Sequence, residues 1–395
     1  MSFESNNEIP QADGTQKKAL FVAFSITAMI SIGVSSVAPA LPLMGRYFAI
    51  DAITVSLVIT AFTLPGLLFL PLVGYLADNY GRKIIVIPCL LGFALAGAGS
   101  ALAPNFEVLL LCRALQGLFA APFGMLCTTL LADFFQGPKL VKTVGLNGLI
   151  MNVSLAVTPA VGGLLAILNW RVVFILPLFA LIPWLISLRL PMEKPASASK
   201  VGDYFKGIFK VLYNPKTIML LSLGFFNLFM VFGPILSSYS GYADAKFGSP
   251  SDIIGYILAS SSVTAAMTSI WAGIQLATRS PRQLLFIGQT MYAIALFLVP
   301  FMPGQWWLLL PVMLFGAGNG MCATTVVSTI IQQAPRESRG SLMSIYGISL
   351  CAAQTFGPFF CGVIGESFGL DAIYWVTAGI SLVTLMGTAL FRWTK

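Results

Sequence analysis

Gly74-Tyr-Leu-Ala-Asp-Asn-Tyr-Gly-Arg-Lys83 puts one acid, Asp78, one glycine, Gly81, and two cations, Arg82 and Lys83, into a very short connection between two long apolar runs. Apolar runs of that length cross a bilayer as helices, because a helix satisfies its own backbone polar groups in hydrocarbon. The connection is therefore a tight turn at the membrane surface. Its cations are expected on the cytoplasmic side.

Composition agrees with that reading. Of 395 residues, 57% are hydrophobic and only 9% charged, whereas about a quarter of a soluble protein is charged. The net charge of +8 invites a nucleic-acid reading, but the placement of the cations rejects it. With the N-terminus inside, Arg46, Arg171 and Lys246 fall outside and Arg113 falls within a span. The rest of the 22 Lys and Arg lie on the inner face, the bias that orients membrane proteins. All six cysteines sit in apolar spans and the chain has no histidine. No disulfide framework, metal site or cofactor is expected. Nor is an enzyme, since nothing places a nucleophile beside a base.

Taken in order, residues 1–19 are polar and read as a disordered cytoplasmic tail. Apolar spans follow at about 20–44, 53–77, 84–104, 107–132, 143–168 and 171–190, which make a first bundle of residues 20–190. Residues 191–216 form a Lys-rich cytoplasmic linker, in which Gly202 to Leu212 reads either as an amphipathic helix on the membrane surface or as a solvated tether. Six more spans, at about 217–241, 253–276, 282–302, 306–331, 341–365 and 370–391, make a second bundle of residues 217–395.

The opening decapeptide resembles the G-x-L-a-D-r-x-G-r-k signature of major facilitator superfamily transporters. Gly74, Leu76, Ala77, Asp78, Gly81, Arg82 and Lys83 match, and Asn79 departs from it. The resemblance implies an all-α membrane protein of twelve transmembrane helices in two pseudo-symmetric six-helix bundles, with both termini inside. Arg113-Ala-Leu-Gln116-Gly117 resembles the R-x-x-Q-G signature of the twelve-span drug:proton antiporter branch. Thr158-Pro159-Ala-Val-Gly162-Gly163 looks like a reduced form of the exporters' G-x-x-x-G-P-x-x-G-G motif, and Ser35 stands where that branch commonly has an acid. Where the second half should echo the opening stretch, at Gly273 to Arg282, the cations survive and the aspartate does not.

From the residues themselves, Arg113 lies about 9 Å into the fourth span, at about 1.5 Å per residue. A guanidinium at that depth faces the protein interior, a water-filled cavity or a partner, unless it reaches out to headgroups or to Glu107. Gln116 shares its helical face. All fourteen Asp and Glu fall in tails, loops or span ends. A cavity without carboxylates favours neutral or anionic cargo. Ser35, Arg113, Gln116, Asn227 and Asn319 are the expected cavity residues, because the family's first, fourth, seventh and tenth helices line its cavity. Each amide is equally a candidate for a plain helix-to-helix hydrogen bond. Gln275, Gln289 and Gln354 remain as further polar candidates, and the stripe Phe225, Phe226, Phe229 and Phe232 reads as packing.

Pro159, Gly162 and Gly163 are read as a packing hinge that lets a neighbouring backbone approach. Gly74, Asp78, Gly81, Arg82 and Lys83 are read as a conformational latch, with Asp78 capping the eleventh helix near Gly340 and Ser341. Proton coupling would fall to Asp78, Glu107 or Asp133. The expected protein is a monomeric exporter of small neutral or anionic amphipathic molecules, working by alternating access in a bacterial inner membrane. Its partners are the lipid bilayer, a small-molecule substrate and, if coupled, protons; no nucleic acid is expected. The alternatives are an importer of a small organic anion or siderophore, anchored by Arg113, and a lipid-handling or non-transporting membrane protein.

Overall fold

The computed structural model describes residues 13–191, 215–333 and 339–390, with the backbone alone for residues 70–80, 339–341 and a few others. Helix is the regular structure of the described residues, and twelve helices among them are long and apolar enough to cross a membrane. They are α1 (Gly14–Phe48), α2 (Ala52–Phe69, continuing as helix to Tyr80), α3 (Arg82–Ala101), α4 (Phe106–Phe134), α5 (Lys142–Leu168), α6 (Trp170–Leu188), α7 (Thr217–Phe247), α8 (Ser251–Gln275), α9 (Pro281–Phe301), α10 (Gln305–Ile330), α11 (Ile345–Phe368) and α12 (Leu370–Leu390). Within the first half α4 packs on α1, α2 and α3, and α3 on α6. Within the second half α10 packs on α8 and α9, α9 on α12, and α7 on α11. Between the halves, α5 meets α8 and α2 meets α11. Two six-helix bundles result, joined along two seams.

Residues 13–19, read from sequence as tail, are already helical, since the regular helix that opens this span runs from Asp13 to Val34. The rest of that tail, the amphipathic stretch 202–212 and most of the linker lie outside the described residues. An even number of crossings puts residues 13, 190, 215 and 390 at one end of the molecule, hereafter the terminal end. The opposite end is the far end.

The turn of the opening stretch works because Gly81 adopts φ +93°, ψ 153°, a conformation that a side chain would strain. At the far end, Asn105 starts α4 by accepting the backbone N–H of Val108 at 2.9 Å, a cap of about 1 kcal/mol. Two central helices are interrupted at corresponding places. In α1 the α-helix ends at Val34 and resumes at Leu41, across a turn and a short 3-10 segment that holds Pro39. In α7 the segment Val231–Ser238 is π-helical around Pro234. Proline supplies no N–H and crowds the preceding turn, so both interruptions are written in the chain. Carbonyls released at such breaks need new donors.

Candidate functional site

Arg113 is 0% exposed, although it carries a full charge. Its Nη2 donates to the Gly33 carbonyl of α1 at 2.7 Å, its Nη1 to Gln116 Oε1 at 2.6 Å, and its Nε to the Val58 carbonyl of α2 at 3.3 Å. The Phe62 ring lies 4.4 Å from the guanidinium carbon. The Gly33 carbonyl is available because of the break in α1: Val37, the residue that would normally donate to it, donates to Val34 instead. The arginine thus clamps three helices of one bundle and does not line an open chamber in this conformation. Neither headgroups nor Glu107 engage it; Glu107 is exposed at the first turn of α4. Ser35 and Gln116 are buried beside the same break.

In the second bundle Asn227 and Asn319 come together with Tyr292, which the sequence reading did not single out. Tyr292 Oη donates to Asn227 Oδ1 at 2.7 Å and lies 3.2 Å from Asn319 Oδ1; Asn227 Nδ2 donates to Asn319 Oδ1 at 3.2 Å. Asn227 is 8% exposed and faces the bundle interior, where a void of about 10 Å³ is lined by Asn227, Gln289 and Tyr292 among others. Asn319 is half-buried. Gln289 accepts from Thr388 at 2.9 Å, and Gln354 gives its carbonyl to Thr63. Phe225, Phe226 and Phe229 pack on one another, and Phe229 on Phe360.

At the terminal end, Arg82 forms an ion pair with Asp133 at the end of α4 and reaches the Thr129 carbonyl at 3.4 Å. Lys83 donates to the carbonyls of Leu188 and Leu190, at 2.8 and 3.2 Å, and so closes the last turn of α6. These cations tie the turn to its own bundle. The side chains of Gly74 to Tyr80, Asp78 included, and the residues around Gly340 and Ser341 to which Asp78 was assigned, lie outside the described side chains.

The bundles meet at the far end. Arg46 pairs with Asp244 across them at 3.2 Å. A Cβ on Gly163 would lie 2.4 Å from the Ser251 carbonyl, and one on Gly255 would lie 2.5 Å from the Pro159 carbonyl. Gly162 packs inward instead, against the Ser36 carbonyl at the break in α1. Residues 33–42 of α1 and most of 229–243 of α7 are buried, so the broken segments of both central helices are enclosed where the bundles meet at the far end.

Two six-helix bundles with broken central helices define a multi-pass membrane protein of the transporter class. The chain matches the Major Facilitator Superfamily over residues 23–245 and 221–395, and it belongs to that family. The bacillibactin exporter of Bacillus subtilis (strain 168) is 26% identical over 359 residues, covering 86% of this chain and 88% of that protein. Quinolone resistance protein NorA of Staphylococcus aureus (strain MSSA476) is 28% identical over 244 residues, 60% of this chain and 61% of NorA. The nucleoside transporter NupG has the same fold, with a TM-score of 0.80 at 14% identity, over 96% of this chain and 100% of NupG. A D-xylose-proton symporter scores 0.77 at 16% identity, over 95% and 97% of the two chains.

Proposed function

We propose that this protein is a secondary active exporter that works by alternating access and carries small neutral or anionic amphipathic molecules. It would take cargo from the cytoplasmic face, where both termini lie, and release it across a bacterial inner membrane. The observation that carries this reading is the seam closed between the bundles at the far end by the Arg46–Asp244 pair and the Gly163 and Gly255 contacts, which leaves the cargo chamber of this reading to open toward the termini. The kinship with a bacillibactin exporter and a quinolone resistance protein supports the direction. The cargo class follows from the carboxylates: among the described residues every Asp and Glu sits at a helix end or in a turn. Arg113, held inside its own bundle, does not supply the cargo contact that its depth suggested.

Everted vesicles containing the protein are expected to accumulate an amphipathic dye or antibiotic at least threefold over empty vesicles. Dissipating the pH gradient tests whether protons drive that accumulation. Growth on a sole nutrient without any such accumulation would instead indicate import. We assign Asp78 to a latch that holds the terminal end shut in the opposite state. Asp78→Asn is expected to slow transport severalfold with cargo binding nearly intact, and equal loss of both would remove the latch. Coupling, if present, is assigned to Asp78, Glu107 or Asp133, of which Asp133 is already engaged by Arg82.

A further inference from the structure

We propose that the two bundles enclose a cargo chamber, that Asn319 presents to it a hydrogen-bond donor and no acceptor, and that Tyr292 is the positioning residue that holds it so. The cargo must then bring an acceptor oxygen, such as a ketone, carboxylate or phenolate, to this wall. This deepens the exporter reading and rests on it.

Tyr292 has a single hydroxyl hydrogen and is 2% exposed, so that hydrogen needs an acceptor inside the bundle. Asn227 Oδ1 is that acceptor, at 2.7 Å. Fixing the oxygen of Asn227 fixes its amide nitrogen, which points at Asn319 Oδ1 from 3.2 Å. Turning Asn319 over would set two NH2 groups against each other. Turning both amides would restore their pairing but leave the phenol hydrogen without an acceptor. Only the arrangement observed satisfies all three groups. The oxygen of Asn319 is thereby consumed on the bundle side, while its Nδ2 has no partner among the described residues. Asn319 is half-buried, as are Ala323 and Val327 one and two turns further along the same face of α10.

The internal repeat explains why the two bundles differ. Gln116-Gly117 in α4 and Asn319-Gly320 in α10 occupy matching places. A Cβ on Gly117 would lie 1.8 Å from the Phe62 carbonyl of α2, and one on Gly320 would lie 2.1 Å from the Ala265 carbonyl of α8. In the first bundle the amide oxygen is taken by Arg113, three residues earlier. Gly316 stands at that position in the second bundle, so the amide is oriented from behind, by α7 and α9, and reaches the chamber. An uncharged wall with a fixed donor selects for cargo that accepts a hydrogen bond.

The test compares norfloxacin, which carries adjacent ketone and carboxylate oxygens, with N-phenyl-1-naphthylamine, an uncharged amphipathic amine without an acceptor oxygen. Both binding to the purified protein and vesicle transport are measured. Asn319→Ala is expected to weaken norfloxacin binding at least tenfold and to change binding of the amine less than twofold. Asn319→Asp, an acceptor without a donor, should favour the amine. Tyr292→Phe should shift the norfloxacin-to-amine ratio threefold or more in the same direction as Asn319→Ala, a change that mere loosening of the bundle would not produce. Equal losses for both probes, unchanged ratios, or binding of neither probe overturns the proposal. Binding with the expected ratios but without outward transport leaves the donor site standing and removes the exporter reading.

Discussion

Arg113→Lys is expected to cut transport at least tenfold and to lower the stability of the folded protein by about 3 kcal/mol, the scale for disrupting a buried charge's partners. The guanidinium is a planar fork that reaches α1, α2 and Gln116 at once. An ammonium is compact and more strongly hydrated, so it suits neither the spread of acceptors nor the dry surroundings. The stacking surface of Phe62, 4.4 Å away, loses its flat partner as well. The acceptor that matters most is the Gly33 carbonyl, which the break in α1 leaves without its helical donor. Arg113→Met keeps much of the volume, yet it should also destabilise, by about 1–3 kcal/mol for that unpaired carbonyl. Thermal unfolding of the purified variants in detergent, alongside vesicle transport, checks both. An arginine that served as cargo anchor would behave differently: the lysine variant would lose binding and keep its unfolding temperature.

How much of this was legible in the chain differs from residue to residue. The twelve spans were legible because membrane crossing is a matter of apolar length, and the turn at Gly81 because few other residues tolerate its backbone. The depth of Arg113 followed from counting. Its partners did not, since they are main-chain carbonyls: Pro39 announces a break in α1, but only the fold shows which oxygen the break frees and which helix passes beside it. Nothing in the chain sets Tyr292 apart from the other aromatics of its apolar run. The hint that would have raised it was the echo of Gln116-Gly117 in Asn319-Gly320, which asks what orients the second amide when no arginine precedes it. Arg82 and Asp133 were read separately, one as latch and one as proton carrier, because sequence distance hides that the end of α4 lies against the turn between α2 and α3. Arg46 and Asp244, likewise, become a pair only when the two repeats face each other.

Gly255→Val, with Gly163→Val as a second instance, is expected to abolish transport while leaving the protein folded, by making the far end unable to shut. The reason lies in which bodies the glycine separates. A Cβ on Gly255 meets the Pro159 carbonyl at 2.5 Å, and one on Gly163 meets that of Ser251 at 2.4 Å; both contacts run between the bundles. Neither backbone can yield locally, but a small rigid-body rotation relieves the overlap entirely. The strain, about 3 kcal/mol for overpacking of this kind, therefore falls on the closed state alone. It shifts the equilibrium toward the far-end-open state by about 100-fold. Gly117→Val is the contrasting case, because its overlap with the Phe62 carbonyl lies inside the first bundle and no rotation of one bundle against the other removes it. That variant should fail to fold. A cysteine at Ala52, placed in a background without the six native cysteines, reads the difference. Ala52 is the residue that a Cβ on Gly241 would touch across the far-end seam, so maleimide labelling from the far side should rise sharply in Gly255→Val. Unchanged labelling in a folded, inactive variant would mean that the seam between α5 and α8 does not gate the far end.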